Sequence, residues 1–157
     1  MSKIMLNLGC GADIRQSPGP GWVVVNHDRL RFDPGVDEVW DLNRLPWPWV
    51  SDSIHTLIAQ SVLEHLHLNL VQSLNECWRI LMPGGRLDIK LPLWNAEVSY
   101  ADPTHYRVYA VGILDNFDPD RLRWVNGQRY GCLPWRVDYQ AAWETSLFGR
   151  MYKRVPS

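Results

Sequence analysis

Several classes of protein are excluded by what this chain lacks. No run of Lys or Arg approaches the length of a basic tail, and 16 basic against 17 acidic side chains leave a formal net charge of -1. Composition therefore gives no support for a nucleic-acid partner. No apolar stretch is long enough to cross a bilayer, and the opening M-S-K-I-M-L-N-L-G has no long apolar core with a cleavage site. A cytoplasmic protein with no membrane partner is expected. Cys10, Cys77 and Cys132 are odd in number and form no C-x-x-C, which argues against a disulfide framework and a structural zinc site. Free thiols are expected, and no bound metal.

What remains is 157 residues, 46% of them apolar, enough for one domain over 1–157 with a sizeable core. Nine Trp in so short a chain place several at pocket walls or at an interface, because each couples a large apolar area to one N–H that needs a partner. A homo-oligomer is compatible with that surface; ordinary half-buried packing accounts for the same residues.

The informative stretch is Lys3 to Asp13, K-I-M-L-N-L-G-C-G-A-D. An apolar run ends abruptly in Gly9 and Gly11, as a buried parallel strand does when it stops at a tight turn. Glycine there lets backbone approach a ligand and tolerates positive φ, so a nucleotide-like ligand is one reading and a plain Gly turn the other. Ala12 to Gly21 holds two prolines and two glycines, so any helix there is short or replaced by a loop. Trp22 to Asn26 is a β-branched second strand that ends at His27 and Asp28. Asp28 lies 17 residues past Gly11, near the separation at which an acid accepts ribose hydroxyls in dinucleotide-binding folds. A solvated loop carboxylate is the alternative.

Val36 to Leu42 reads as a third strand, and Leu45 to Trp49 as a rigid loop set by two X-Pro steps. Ile54 to Val62 is a fourth strand. Apolar residues at 3- and 4-residue spacing predict a helix over Leu63 to Leu81, stopped by Met82-Pro83-Gly84-Gly85, with Arg86 to Leu91 as a fifth strand. Further on, the pattern predicts a helix over Thr104 to Phe117 and a tight turn at Asn126-Gly127. Val137 to Trp143 and Arg150 to Val155 then form antiparallel edge strands. The fold class is thus α/β, a Rossmann-like mostly parallel sheet with helices on both faces and antiparallel C-terminal edge strands. Ligands in such sheets bind outside the carboxyl ends of the strands.

The series L-N-L-G-C-G-A, V-N-H-D, V-W-D-L-N-R-L-P-W-P, I-A-Q-S-V-L-E-H-L and R-I-L-M-P-G-G-R-L resembles the class I S-adenosylmethionine-dependent methyltransferases over residues 3–93. The resemblance implies S-adenosyl-L-methionine as cofactor and methyl transfer to a small or medium-sized acceptor. It places Gly9 and Gly11 under the methionine part and Asp28 at the ribose hydroxyls. Asp41 and Leu42 fall at the adenine, and Gln60 and Ser61 form the shelf closing over the cofactor. Asn7 stands where the family often has an acid, and it can still accept a hydrogen bond. The dinucleotide fingerprint G-x-G-x-x-G would need glycine where Ile14 stands, so a dehydrogenase is disfavoured. No N-P-P-Y or D-P-P-Y tetrad follows the fourth strand, which tells against methylation of DNA base amino groups.

The cofactor of such an enzyme carries the activated methyl, and the protein positions a nucleophile and excludes water. Acceptor-side candidates follow the fifth strand, where Asp102-Pro103-Thr104-His105 is the densest polar cluster. Histidine is the residue type that takes a proton near neutral pH, so His105 is a candidate base with Asp102 beside it; a plain helix cap by Asp102 and Thr104 is the alternative. Glu64 and His65 read as the start of a helix, where a carboxylate is favoured by the helix dipole. His65 and His67 are two apart and would not share a helix face. A non-catalytic cofactor-binding or protein-interaction module on the same fold is the second functional reading.

Overall fold

The computed structural model describes residues 2–31 and 33–155. Seven strands form one sheet in the order β3-β2-β1-β4-β5-β7-β6. They are β1 (Lys3–Leu8), β2 (Trp22–Asp28), β3 (Glu38–Val39), β4 (Ile54–Gln60), β5 (Leu81–Pro92), β6 (Trp135–Trp143) and β7 (Ser146–Lys153). The first five run parallel, whereas β7 lies antiparallel between β5 and β6. The mostly parallel sheet with antiparallel C-terminal edge strands is as the sequence implies. The chain steps outward from β1 to β3 and then returns to the other side of β1, so the order reverses between β1 and β4. That is the switch point at which open α/β sheets leave a crevice.

Strand alternation decides what covers the sheet. Along β5, Leu87, Ile89 and Leu91 are buried while Arg86, Asp88 and Lys90 on the opposite face are half-buried. The buried set packs with Leu70, Leu74, Cys77 and Ile80 of helix α1 (Leu70–Ile80). A capping box starts that helix: the Gln72 amide donates to Asn69 Oδ1 at 2.9 Å, and the Asn69 amide donates to Gln72 Oε1 at 3.0 Å. The second face is covered near β1 by the proline-rich loop 12–20 in place of a helix. Asn7 anchors it, donating to the Asp13 carbonyl at 2.8 Å and to Asn26 Oδ1 at 3.1 Å, and the Arg15 amide donates to the same Asn26 oxygen at 2.8 Å. Among the described residues no helix is long and apolar enough to cross a membrane.

Four local expectations are corrected. The helix expected from Leu63 starts at Leu70, after a 3₁₀ turn over Leu63–His65. Leu66 is extended, at φ of -88° and ψ of 143°, and the Arg107 guanidinium holds this stretch off the helical path by donating to the carbonyls of Leu66, His67 and Leu68. The helix ends at Ile80, just before Met82 to Gly85 as expected, but that segment belongs to the fifth strand, which starts at Leu81 and not at Arg86. It bulges within β5, between the pairings of Ile54 with Leu81 and Thr56 with Arg86. The helix expected over Thr104 to Phe117 is absent up to Gly112, because the Tyr109 amide donates to the Pro92 carbonyl and the Trp94 amide to the Tyr109 carbonyl, each at 2.9 Å. A 3₁₀ turn over Ile113–Phe117 is what remains. Asn126-Gly127 lies inside a short helix, Trp124–Arg129, where a Cβ on Gly127 would fall 1.6 Å from the Asn116 carbonyl oxygen. The hairpin turn lies instead at Glu144, with φ of 51°, between β6 and β7.

Candidate cofactor and acceptor clefts

The carboxyl ends of β1, β2 and β4 open onto a cleft of about 340 Å³, within the usual size range of ligand pockets. Gly9 closes its floor at φ of 58°, and a Cβ there would lie 2.4 Å from Val62 Cγ2. Glycine at this position is thus demanded first by the approach of the β1 end to the segment after β4. Gly11, at φ of 52°, has nothing within 4 Å of where its Cβ would be, so the left-handed backbone and not packing favours glycine there. Its amide donates to Asp28 Oδ2 at 2.9 Å, while Asp28 Oδ1 accepts from the Arg29 amide at 2.6 Å. With a longer bond from the Leu30 amide to Oδ1 at 3.5 Å, these fix the carboxylate at the cleft wall and leave lone pairs over.

Asp41 lines the far end of the cleft beside Trp40 and Leu42. Its carboxyl is held below the usual carboxylate range by the Asn43 amide and side-chain NH₂, which donate to Oδ1 at 3.0 and 3.1 Å. Leu42 is buried, and its carbonyl accepts from the indole of the buried Trp47 at 2.9 Å. Ser61 has φ of 52°, rare for a residue with a side chain, and lines the cleft immediately after β4. Asn7, Gly11 and Gln60 do not line it: Asn7 is the buried anchor of loop 12–20, and Gln60 Oε1 accepts from Arg15 at 3.1 Å. His27, which the sequence reading passed over, does line it. The His27 ring is buried, its Nε2–H donates to the Trp40 carbonyl at 3.0 Å, and burial pushes its pKa down.

A second, smaller cleft of about 140 Å³ adjoins the first and shares Ser61 with it; Glu64, Lys90, Ser99 and His105 are on its walls. His105 belongs to this cleft and not to the first. Its Nδ1–H donates to the Ser99 carbonyl at 2.8 Å, and its Nε2 lies 3.8 Å from Asp102 Oδ2. Asp102 lines neither cleft. It accepts from the Thr104 amide at 2.8 Å and from the Thr104 hydroxyl at 2.6 Å, and those bonds hold its carboxyl below the ordinary value. Glu64 is 1% exposed, its Oε2 has no partner among the described residues, and burial pushes its carboxyl up to about 7. His65 reaches across to Thr104, Nδ1 to Oγ1 at 2.8 Å, and its ring centroid is 4.7 Å from that of His105. Neither contact was foreseen, because spacing along the chain does not bring residues 64–65 to residue 105.

No protein-family model matches the sequence, and no curated protein matches it. Solved structures do. An S-adenosylmethionine-dependent methyltransferase from Archaeoglobus fulgidus superposes with a TM-score of 0.66 at 14% identity, over 97% of this chain and 86% of its own. The 1,6-didemethyltoxoflavin-N1-methyltransferase of Burkholderia thailandensis, solved with its acceptor and S-adenosylhomocysteine, gives 0.62 at 14% identity over 98% and 72%. This chain has the class I methyltransferase fold. The same fold carries other chemistry as well: the [4+2]-cyclase SpnF matches with a TM-score of 0.66 at 11% identity, over 99% of this chain and 76% of its own.

Proposed function

We propose that the chain binds S-adenosyl-L-methionine in the larger cleft and transfers its methyl group to a small or medium-sized acceptor presented at the smaller one. The observation that carries this is the joining of Gly11 to Asp28: an open glycine at the end of β1 whose amide holds the carboxylate at the end of β2. Such a cradle fits a ligand with ribose hydroxyls next to a chain that needs close backbone approach. Asp28 would hold the ribose, Asp41 and Leu42 the adenine, and Gly9 and Ser61 the methionine part, with Gly11 bracing Asp28 and Asn7 and Gln60 supporting through the loop 12–20.

The bound cofactor supplies an activated methyl, so the chain's own task is positioning and water exclusion. His105 donates its Nδ1–H to a carbonyl, which can only accept, so its Nε2 carries the lone pair, and the residue lines the smaller cleft. That nitrogen is placed to take the acceptor's proton, with Asp102 beside it to favour the imidazolium formed. Titration with S-adenosylhomocysteine tests the cofactor part: one equivalent should bind, and absence of heat up to millimolar ligand would refute it. A second reading is a non-catalytic cofactor-binding or protein-interaction module on this fold, since a fold does not fix a chemistry and this one also occurs in a [4+2]-cyclase. Cofactor binding without turnover on any acceptor would select it.

A further inference from the structure

The sequence has no cysteine pattern for a metal, but a different donor set comes together where the clefts meet, Glu64 and His105 lining the smaller and His65 the larger. One ligand atom each from Glu64, His65 and His105 lie within 4.8 Å of one another. An ion about 2.0–2.2 Å from each of three such donors, in tetrahedral geometry, needs them on the order of 3.4 Å apart. Side-chain rotations of about an ångström close that difference, and the loop-borne His65 and His105 are only partly buried.

The hydrogen bonds around the cluster point the same way. The Ser99 carbonyl takes the Nδ1–H of His105, leaving Nε2 bare. The Thr104 hydroxyl gives its proton to Asp102 Oδ1, so its lone pair must accept the Nδ1–H of His65, which leaves that Nε2 bare too. Outer partners on Nδ1 of this kind orient metal-bound imidazoles and fix their tautomers. Independently, Glu64 Oε2 is buried with no hydrogen-bond partner among the described residues. A buried carboxylate oxygen left unpaired is costly and needs an explanation; a cation between it and two bare imidazole nitrogens supplies one.

We propose that Glu64, His65 and His105 bind a divalent first-row transition-metal ion where the two clefts meet. Two imidazoles and one carboxylate suit Zn²⁺, Co²⁺, Fe²⁺ or Mn²⁺, whereas Mg²⁺ and Ca²⁺ favour all-oxygen sites. Three protein ligands leave a coordination position open. In the proposed methyl transfer, on which this part alone rests, an acceptor hydroxyl occupies that position. With the ion in place His105 is a ligand instead of a base, and the acceptor's proton passes from the ion-bound oxygen to water.

Cobalt is the probe. The full chain, stripped with a chelator, is titrated with Co²⁺ while visible ligand-field absorption is recorded. One equivalent should give the bands of a nitrogen- and oxygen-ligated ion, and millimolar Mg²⁺ should not displace it. His105→Ala and Glu64→Gln should each weaken cobalt binding at least on the order of 100-fold. Thr104→Val, which removes only the outer bond to His65, should weaken it on the order of tenfold with the fold unchanged by circular dichroism. No bands at one equivalent, or unchanged cobalt affinity in both His105→Ala and Thr104→Val, overturns the proposal. Cobalt binding without S-adenosylhomocysteine binding would remove the methyltransferase reading and leave the ion site standing; the reverse result would remove the ion site alone.

Discussion

The two clefts meet at Ser61 and are built on different plans. The larger has Gly9 after β1, Asp28 at the end of β2 and Ser61 after β4, each placed by the strand that precedes it, and takes in His65, Thr104 and Tyr106 besides. The smaller is assembled from the turn after β4, the end of β5 and the loop after it, so that Glu64 meets His105, with His65 of the larger cleft beside them. Sheet register fixes the first kind of site; long-range side-chain bonds fix the second. A substitution in the first should therefore act on cofactor affinity or folding, and one in the second on turnover.

The largest effect expected is on the acceptor side. His105→Ala should lower turnover by roughly 10²–10⁴ while S-adenosylhomocysteine affinity stays within a few-fold, as for a group that acts on the acceptor only. Loss of cofactor affinity in that variant, read by calorimetry, would merge the two clefts and break the comparison.

Gly9→Ala tests the strand-end plan. The left-handed backbone costs a residue with a Cβ about 1–2 kcal/mol, and the clash with Val62 adds about 1–3 kcal/mol. Thermal unfolding should show a loss of about 2–5 kcal/mol. Pairing it with Val62→Ala should return the clash part and not the backbone part. Gly11→Ala has the same backbone sign, φ of 52°, and no neighbour to strike; it should cost only about 1–2 kcal/mol. Equal losses at the two glycines would show that packing against Val62 is not what distinguishes them.

How much could be read in advance follows the same division. The strands β1, β2, β4 and β5, the strand-end glycines and the place of Asp28 were legible because each is a local signal, an apolar run followed by a turn residue; the third strand, expected over Val36 to Leu42, is only the exposed pair Glu38–Val39, and Asp41 lies beyond it. The start of the helix expected from Leu63 was not legible, because Arg107 lies 41 residues beyond the Leu66 carbonyl it occupies. The loop after β5 had the residues of a helix, but the Tyr109 backbone pairs with Pro92 and Trp94 instead. Gly9 does line the cleft, but the contact that demands glycine there is with Val62, which no local signal at residue 9 reports. The unpaired oxygen of Glu64 is a product of burial, which periodicity does not report for a residue at a turn.

Asp28→Ala should raise the dissociation constant for S-adenosylhomocysteine on the order of tenfold or more, the loss of charge-assisted hydrogen bonds of about 1.5–3 kcal/mol. The Gly11 amide loses its acceptor in the same variant. Asp28→Asn, which keeps an oxygen for that amide, should separate loop order from ribose binding. If both variants bind like the parent, the carboxylate is a loop brace only.

The smallest expected effect is a pH dependence from His27. Burial lowers its folded pKa below the model-peptide 6.5, so the unfolded chain takes up a proton first as pH falls. Stability from this group is present above about 6.5 and is lost as pH drops through that value to the lowered folded one. His27→Gln should flatten this part of the denaturant-midpoint profile between about pH 7.5 and 5.5. An unchanged profile would show that the ring takes up its proton without cost inside the cleft.

The most direct test of the account is calorimetric titration of S-adenosylhomocysteine into the parent and Asp28→Ala chains under the same conditions. It predicts one equivalent bound to the parent and affinity weaker on the order of tenfold or more in the variant. No binding to the parent up to millimolar ligand would contradict the assignment of the larger cleft to the cofactor.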